Sequence, residues 1–152
     1  MWPFRGAGDA AEFLLLHRSG RDGSPFWQGV SGWIEAGEPP HLTALRELRE
    51  ETGLEAIELY SVDSVFDLYV WRRGTVEGIV PFAALVAADA EPRLSEEHDD
   101  WRWGSLATAL EIVPYEPQRA ALRRISVDLL ERPDLADLYR VDLASEGPEK
   151  SR

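Results

Sequence analysis

The chain has 152 residues, no cysteine, 28 acidic against 16 basic side chains, and a formal net charge of −12. That length suits one domain with a full core, so residues 1–152 are read as a single domain. The composition excludes disulfides and cysteine-ligated zinc, the charge disfavours binding to the phosphate backbone of nucleic acid, and no run of 18 apolar residues is present to cross a membrane.

The N-terminal Met1-Trp2-Pro3-Phe4-Arg5 lacks a charged region followed by an apolar run, so no signal peptide is expected. Together with the absence of cysteine this fits a cytoplasmic protein. An acidic protein that handles a polyphosphate meets repulsion, which bound cations offset locally.

In chain order, Trp2 to Arg5 suggests a short first strand, and Gly6-Ala7-Gly8-Asp9 is a turn by composition. Glu12 to Arg18 is a short apolar run bounded by turn residues and reads as a buried strand. A Gly/Ser/Asp loop follows from Ser19 to Pro25. Phe26 to Ile34 reads as a strand that delivers the chain to a loop at Glu35 to Pro40. The pattern predicts a helix over Pro40–Thr52. Two prolines stand at its start, where a missing N–H costs nothing, and Gly53 stands where a left-handed cap is wanted.

Beyond it, Ala56 to Val62 and Val65 to Arg72 alternate as strands, with Arg73-Gly74 as a turn. In the second, Phe66, Leu68 and Val70 share one face. Val76 to Ala87 is long and apolar and reads as one central strand. Asp89 to Asp100 is an acidic loop, and Asp100 to Trp103 a short strand with Trp101 and Trp103 on one face. Leu106 to Ile112 suggests a short helix, Tyr115 to Leu130 a longer one, and Asp134 to Arg140 another short turn of helix. Ser145 to Arg152 is polar and reads as a frayed tail. Strands on both sides of one helix, then a late long helix, predict an α/β fold with a mixed sheet.

The predicted helix has two sides. At roughly 100° per residue, Glu47, Glu50, Glu51 and Leu54 fall on one arc, while Leu42, Leu45, Leu48 and Thr52 fall opposite. Arg46 points away from the acidic arc. Like charges at these spacings destabilise a helix by roughly 0.2–0.5 kcal/mol per pair. Either the arc is a solvated acidic face, or it holds a hard cation such as Mg²⁺ or Mn²⁺, which takes carboxylate and phosphate oxygens.

The spacing favours the cation. Gly32, five residues, Glu38, seven residues, Arg46-Glu47-Leu48, one residue, Glu50-Glu51, one residue, Gly53-Leu54 matches every fixed position of the Nudix box. Such a match arises by chance on the order of once in ten million windows. On these residues the chain resembles the Nudix hydrolases, with likeness from about Glu12 to Leu130. The resemblance implies a Nudix-type α/β/α sandwich with a mixed sheet. It also implies a loop–helix–loop that binds divalent metal (Mg²⁺ or Mn²⁺) and hydrolyses a nucleoside diphosphate linked to another group.

On that resemblance, Glu47, Glu50 and Glu51 are the expected metal ligands, with Glu47 an alternative base toward water. The Ser31 carbonyl is expected to join the metal shell, and its hydroxyl to reach a phosphate. Glu97, within Glu97-His98…Trp101, matches a position that in several Nudix subfamilies completes the metal site or acts as base; His98 alone reads as a structural hydrogen-bonding group. Arg46 is implied to pair with Glu38; Gly32 reads as allowing a tight backbone approach or an unusual dihedral, and Gly53 as the helix cap. Arg18 could grip a terminal phosphate or be a surface charge. Trp27 could stack on a base or be buried in its strand. Tyr69, Trp71 and Tyr115 are further stacking candidates.

The run Phe26-Trp27-Gln28-Gly29-Val30-Ser31-Gly32 resembles dihydroneopterin triphosphate pyrophosphatases, also known as dATP pyrophosphohydrolases, with Ser31 replacing Thr. Trp33 and Pro39-Pro40 depart from that group. The expectation is Mg²⁺-dependent cleavage of a nucleoside or pterin triphosphate to monophosphate and pyrophosphate, by a monomer or homodimer with no nucleic-acid or membrane partner. The alternatives are diadenosine tetraphosphate hydrolysis, ADP-ribose hydrolysis, and a non-catalytic nucleotide-sensing Nudix module. Sensing modules tend to lose box carboxylates, and all of them are present here.

Overall fold

The computed structural model describes residues 1–20 and 25–143. The strands are β1 (Trp2–Arg5), β2 (Glu12–Arg18), β3 (Phe26–Gln28), β4 (Glu58–Ser61), β5 (Phe66–Val70), β6 (Thr75–Ile79), β7 (Phe82–Leu85), β8 (His98–Gly104) and β9 (Arg140–Val141). The helices are α1 (Pro40–Thr52), α2 (Leu106–Ile112), α3 (Glu116–Ile125) and α4 (Pro133–Tyr139). The expected tail at Ser145–Arg152 and residues 21–24 of the Ser19–Pro25 loop lie outside the described residues.

β2 organises the main sheet, because it has partners on both sides. β8 runs antiparallel along one side, from Phe13↔Gly104 to Arg18↔His98. The other side is shared: β1 pairs with Glu12 and Phe13, and β3 with Leu16 to Arg18. β1 continues to β7 in parallel, and β7 to β4 and β9 antiparallel, so the sheet is mixed. β5 and β6 form a separate two-stranded hairpin.

Alternation along β2 sends side chains into two cores. Phe13 and Leu15 join Phe4, Tyr60 and Ala83 under Ala109, Leu122 and Ile125 of α2 and α3. Leu14 and Leu16 join Leu59, Phe82 and Ala84 under Ala44, Leu45 and Leu48 of α1. The result is the expected α/β/α sandwich, with α1 alone on its face. Leu48 is wholly enclosed. Leu48→Ala is expected to lose about 2–5 kcal/mol in a denaturant titration, because the leucine's transfer energy and its cavity add.

The helix bounds Pro40–Thr52 match the sequence reading, and Gly53 adopts φ +67° while its N–H donates to the Arg49 carbonyl at 2.8 Å. Three other segments differ. The strand expected over Phe26–Ile34 ends at Gln28, because β1 occupies the next stretch of the same β2 edge. A Cβ on Gly29 would lie 2.4 Å from the Met1 carbonyl oxygen and 2.9 Å from the Trp2 ring, so only glycine passes there. The strand expected over Val76–Ala87 breaks at Val80-Pro81, since proline cannot donate to the ladder. Its first half belongs to the hairpin and its second to the main sheet. The helix expected over Tyr115–Leu130 is α-helical only to Ile125. Ser126–Leu130 is a π-helical turn, closed by the Glu131 N–H donating to the Ser126 carbonyl at 2.9 Å.

Candidate active site

α1 delivers its carboxylates to one end of the β2–β3–β8 seam, but not as a uniform acidic front. Glu50 is exposed, Glu47 half-buried, and Glu51 buried at 4 % exposure. The expectation of a carboxylate face opposite a greasy back is corrected on this point: Glu51 turns inward, beside Leu48 and Thr52.

Glu47 is seated against the backbone of the preceding loop. A Cβ built on Gly32 would lie 1.9 Å from the Glu47 Cδ and 2.0 Å from its Oε1. The glycine therefore exists for close approach, as the sequence suggested, and what approaches is the Glu47 carboxylate. The same loop reaches Glu51, whose carboxylate accepts a hydrogen bond from the Ser31 backbone N–H. Ser31 itself is exposed. Glycine 32 and its neighbour thus place two carboxylates of adjacent helical turns side by side.

Arg46 locks this loop to the helix. Its guanidinium forks onto Glu38, Nε to Oε1 and Nη2 to Oε2, both at 3.1 Å, and Nη2 also donates to the Trp33 carbonyl at 3.0 Å. Thr43 adds a hydroxyl to Glu38 at 2.7 Å. These bonds hold the Glu38 carboxyl down at about 2, with the Arg46 hydrogen bond the largest cause. The expected Arg46–Glu38 pair is therefore present. Arg46 does not avoid the acidic arc, however: its Nη1 donates to Glu47 at 2.6 Å and to Glu50 at 3.1 Å. A long guanidinium spans both sides of its helix, which residue spacing alone does not show.

The charges on the inner carboxylates are under strain. Burial raises the Glu47 carboxyl above its ordinary value, opposed by Arg46. Burial, then the neighbouring Glu47 charge, push Glu51 up to about 8. The Met1 ammonium, which donates to the Val30 carbonyl at 2.6 Å, pulls Glu51 the other way and more weakly. Glu51 Oε2 is buried and has no hydrogen-bond partner.

The Glu97 segment arrives from the other side. Backbone bonds from Arg93 to the Thr52 carbonyl (2.8 Å) and from Ser95 to the Glu51 carbonyl (3.0 Å) staple this loop to the end of α1. Glu97 is exposed, and its charge reaches both Glu47 and Glu51. His98 is buried, with Nε2 3.9 Å from Glu51 Oε2 and 3.4 Å from Gln28 Nε2. Burial lowers its pKa. Gln28 was not singled out from sequence; its pairing with Leu16 puts it on the α1 face, a placement only the strand register reveals.

Arg18 ends β2 on that same face, opposite His98 in the ladder. Trp27 does not face the site. It pairs with His17 and packs against the core on the α2–α3 side, 5.0 Å from the His17 ring, with the Arg102 guanidinium 4.1 Å above it. Tyr115 sits edge-on to Phe26 at 5.2 Å. Tyr69 and Trp71 are exposed on the β5–β6 hairpin, whose Arg73 lies 4.8 Å over Trp33. Structure thus gathers Ser31, Gly32, Glu38, Arg46, Glu47, Glu50, Glu51 and Glu97 along α1 and the loops beside it, and separates Trp27 from them.

Among the described residues no three Asp, Glu or His groups meet as a preformed metal cage. Arg46 instead holds Glu47 and Glu50. The donors nevertheless fit a hard divalent ion. They are all oxygen ligands, two are desolvated, and one buried oxygen is unpartnered.

A family model described as NUDIX domain matches residues 2–126. The chain belongs to this family. Among curated Nudix relatives, the asymmetrical bis(5'-nucleosyl)-tetraphosphatase of Rattus norvegicus is 39% identical over 114 residues, covering 74% of this chain and 76% of that protein. The dihydroneopterin triphosphate diphosphatase of Haemophilus influenzae is 30% identical over 133 residues, covering 80% and 82%. An octanoyltransferase of Myxococcus xanthus is 38% identical over 127 residues, but the match spans only 34% of that longer protein and 79% of this chain. Among solved structures, an Ap4A hydrolase binary complex from C. elegans superposes with TM-score 0.70 at 27% identity, covering 84% of this chain and 93% of that one. No helix among the described residues is long and apolar enough to cross a membrane.

Proposed function

We propose that this Nudix protein is a divalent-metal-dependent pyrophosphohydrolase of nucleoside polyphosphates, with Glu47, Glu50 and Glu51 as ligands for Mg²⁺ or Mn²⁺. The observation that carries the reading is the pair Glu47–Glu51. A half-buried and a buried carboxylate stand in each other's field, with Glu51 Oε2 unpartnered, an arrangement in which ionised Glu51 is unfavourable unless a cation lies beside it. A bound divalent ion polarises phosphoryl oxygens and lowers the pKa of water.

The chain's own residues supply the rest. Gly32 and Ser31 fix where Glu47 and Glu51 stand. Arg46 holds the loop through Glu38, and Glu47 and Glu50, now paired with it, would hold the ion. Glu97 and the Ser31 carbonyl would complete the oxygen set around the ion, and Glu47 or Glu97 would accept the proton of the attacking water. Arg18 carries positive charge at the same end of the sheet, suited to a distal phosphate. Trp27 is dropped as a base-stacking residue.

For the substrate, the Phe26-to-Gly32 run and the Haemophilus influenzae relative favour a nucleoside or pterin triphosphate, cleaved to monophosphate and pyrophosphate. A second reading, asymmetric cleavage of a dinucleoside tetraphosphate, is favoured by the higher identity to the Rattus norvegicus tetraphosphatase. A panel of dATP, other nucleoside triphosphates, dihydroneopterin triphosphate, diadenosine tetraphosphate and ADP-ribose, each with Mg²⁺, separates them by kcat/KM. Highest values on triphosphates support the first reading, and a preference for diadenosine tetraphosphate supports the second. Nucleotide binding without turnover of any compound would overturn the enzymatic proposal.

Removing the metal gives a further expected result. With EDTA, turnover of the best substrate falls to background, and Mg²⁺ or Mn²⁺ restores it. Full turnover in EDTA would contradict the proposed role of the carboxylates.

A further inference from the structure

The Glu51 carboxylate faces a buried imidazole that the chemistry above does not use. His98, the first residue of β8, has its side chain fully enclosed. Its Nε2 looks toward two groups: Glu51 Oε2 at 3.9 Å and the buried Gln28 amide at 3.4 Å. These three residues come from β8, α1 and β3, and they meet on the α1 face of β2. A register shift between His17 and Arg18, which skips Asp99, brings His98 opposite Arg18 and onto this face, where Gln28 stands opposite Leu16. Two buried atoms in the cluster have no partner, Glu51 Oε2 and His98 Nδ1. Buried polar atoms are rarely left so, and each calls for a reason.

We propose that His98, braced by Gln28, is a positioning residue for Glu51, and that it aims this carboxylate at the divalent ion; this rests on the metal reading of the site. Glu51 sits on the last turn of α1, enclosed between the loop at Ser31 and the His98 ring. With its proton on Nε2, the imidazole presents a donor to Oε2. The Gln28 amide then turns its oxygen toward the same N–H, a half-rotation that leaves its shape unchanged. The N–H lies between two acceptors and the ring cannot swing away. The 3.9 Å separation is too long for a hydrogen bond; with an ion held by Glu51, the imidazole N–H would be the donor nearest its second oxygen. Partners that orient a ligating group in this way are worth about 10–100-fold in metal affinity or activity.

The test uses the position of the donor. In glutamine the side-chain nitrogen falls near the place of imidazole Nε2, and in asparagine near that of Nδ1. Mn²⁺ affinity of the full chain is measured by electron paramagnetic resonance of the free ion, beside a thermal unfolding curve for each variant. His98→Asn is expected to bind Mn²⁺ about 10–100-fold more weakly, with kcat reduced in the same range and the nucleotide KM unchanged. His98→Gln is expected to retain most of both. Wild-type affinity in His98→Asn, or equal loss in the two variants, would overturn the proposal. If His98→Asn fails to unfold cooperatively, Gln28→Leu replaces it: weaker Mn²⁺ binding by a folded protein supports the brace, and unchanged binding overturns it. A wild-type chain that binds no Mn²⁺ would sink the metal reading itself and this inference with it, whereas wild-type binding with unaltered variants removes only the role of His98.

Discussion

Glu51→Gln is expected to yield a protein more stable than the wild type in the absence of metal and nearly inert in its presence. Glutamine keeps the shape of the side chain and removes a charge that burial and Glu47 disfavour. The sign of the effect follows from linkage. The folded protein holds the Glu51 proton up to about pH 8, against an ordinary value of 4.5. Below that ordinary value the carboxyl is protonated in both states and the variant gains nothing. As pH rises from there toward 8, the unfolded chain ionises while the folded one does not, so wild-type stability falls. Above 8 the folded protein carries the full cost of a buried carboxylate.

The gain in Glu51→Gln is therefore absent at pH 4 and reaches about 2–4 kcal/mol at pH 8 to 9, or about 5–10 °C in Tm. Thermal unfolding in EDTA at both pH values checks this. With saturating Mg²⁺ the order reverses, because binding stabilises only the chain that retains the ligand. Turnover is expected to fall at least about 10³-fold, equivalent to about 4 kcal/mol of transition-state stabilisation. Near-normal rates in the variant would remove Glu51 from the metal shell.

Gly32→Ala is expected to leave the fold intact and disable the site. The added methyl would overlap the far end of the Glu47 side chain, at 1.9 Å from Cδ and 2.4 Å from Cγ. Gly32 is exposed, and no positive backbone angle constrains it. The relief is therefore local: Glu47 rotates away, and unfolding shifts little. A displacement of about 1 Å in a reacting group is enough to reduce turnover by about 10²-fold. The expected result is unchanged Tm in EDTA with kcat reduced at least that much. A variant with normal kcat would show that Glu47 does not work from the position the glycine gives it.

Much of this was legible in the sequence because one helix carries both the fold and the chemistry. The prolines at 39 and 40, the period of Leu45 and Leu48, and Gly53 fix α1 locally. The box residues at fixed spacing then identify the family. What local pattern could not show is whatever depends on neighbours in the sheet. Gln28 ends its strand because β1 has taken the adjacent edge, and nothing in Phe26–Ile34 announces that competition. Pro81 does announce a break in Val76–Ala87, but the apolar run on either side outweighed it.

Trp27 illustrates a different limit. Its neighbour Gln28 faces the site, yet strand alternation turns the Trp27 ring to the opposite face, under Arg102. Glu51 shows the converse. A helical wheel groups it with Glu50, but α1 packs at an angle that leaves Glu50 in water and buries Glu51. In sequence His98 reads as a structural hydrogen-bonding group; the register shift in β8 places it 3.9 Å from that buried carboxylate.

The most direct test is the position of manganese itself. In crystals grown or soaked with Mn²⁺, the account predicts an anomalous peak bounded by carboxylate oxygens of Glu47, Glu50 and Glu51, with Arg46 withdrawn onto Glu38. Crystals in which those three side chains keep to Arg46 and solvent, and no peak lies among them at saturating manganese, would contradict it.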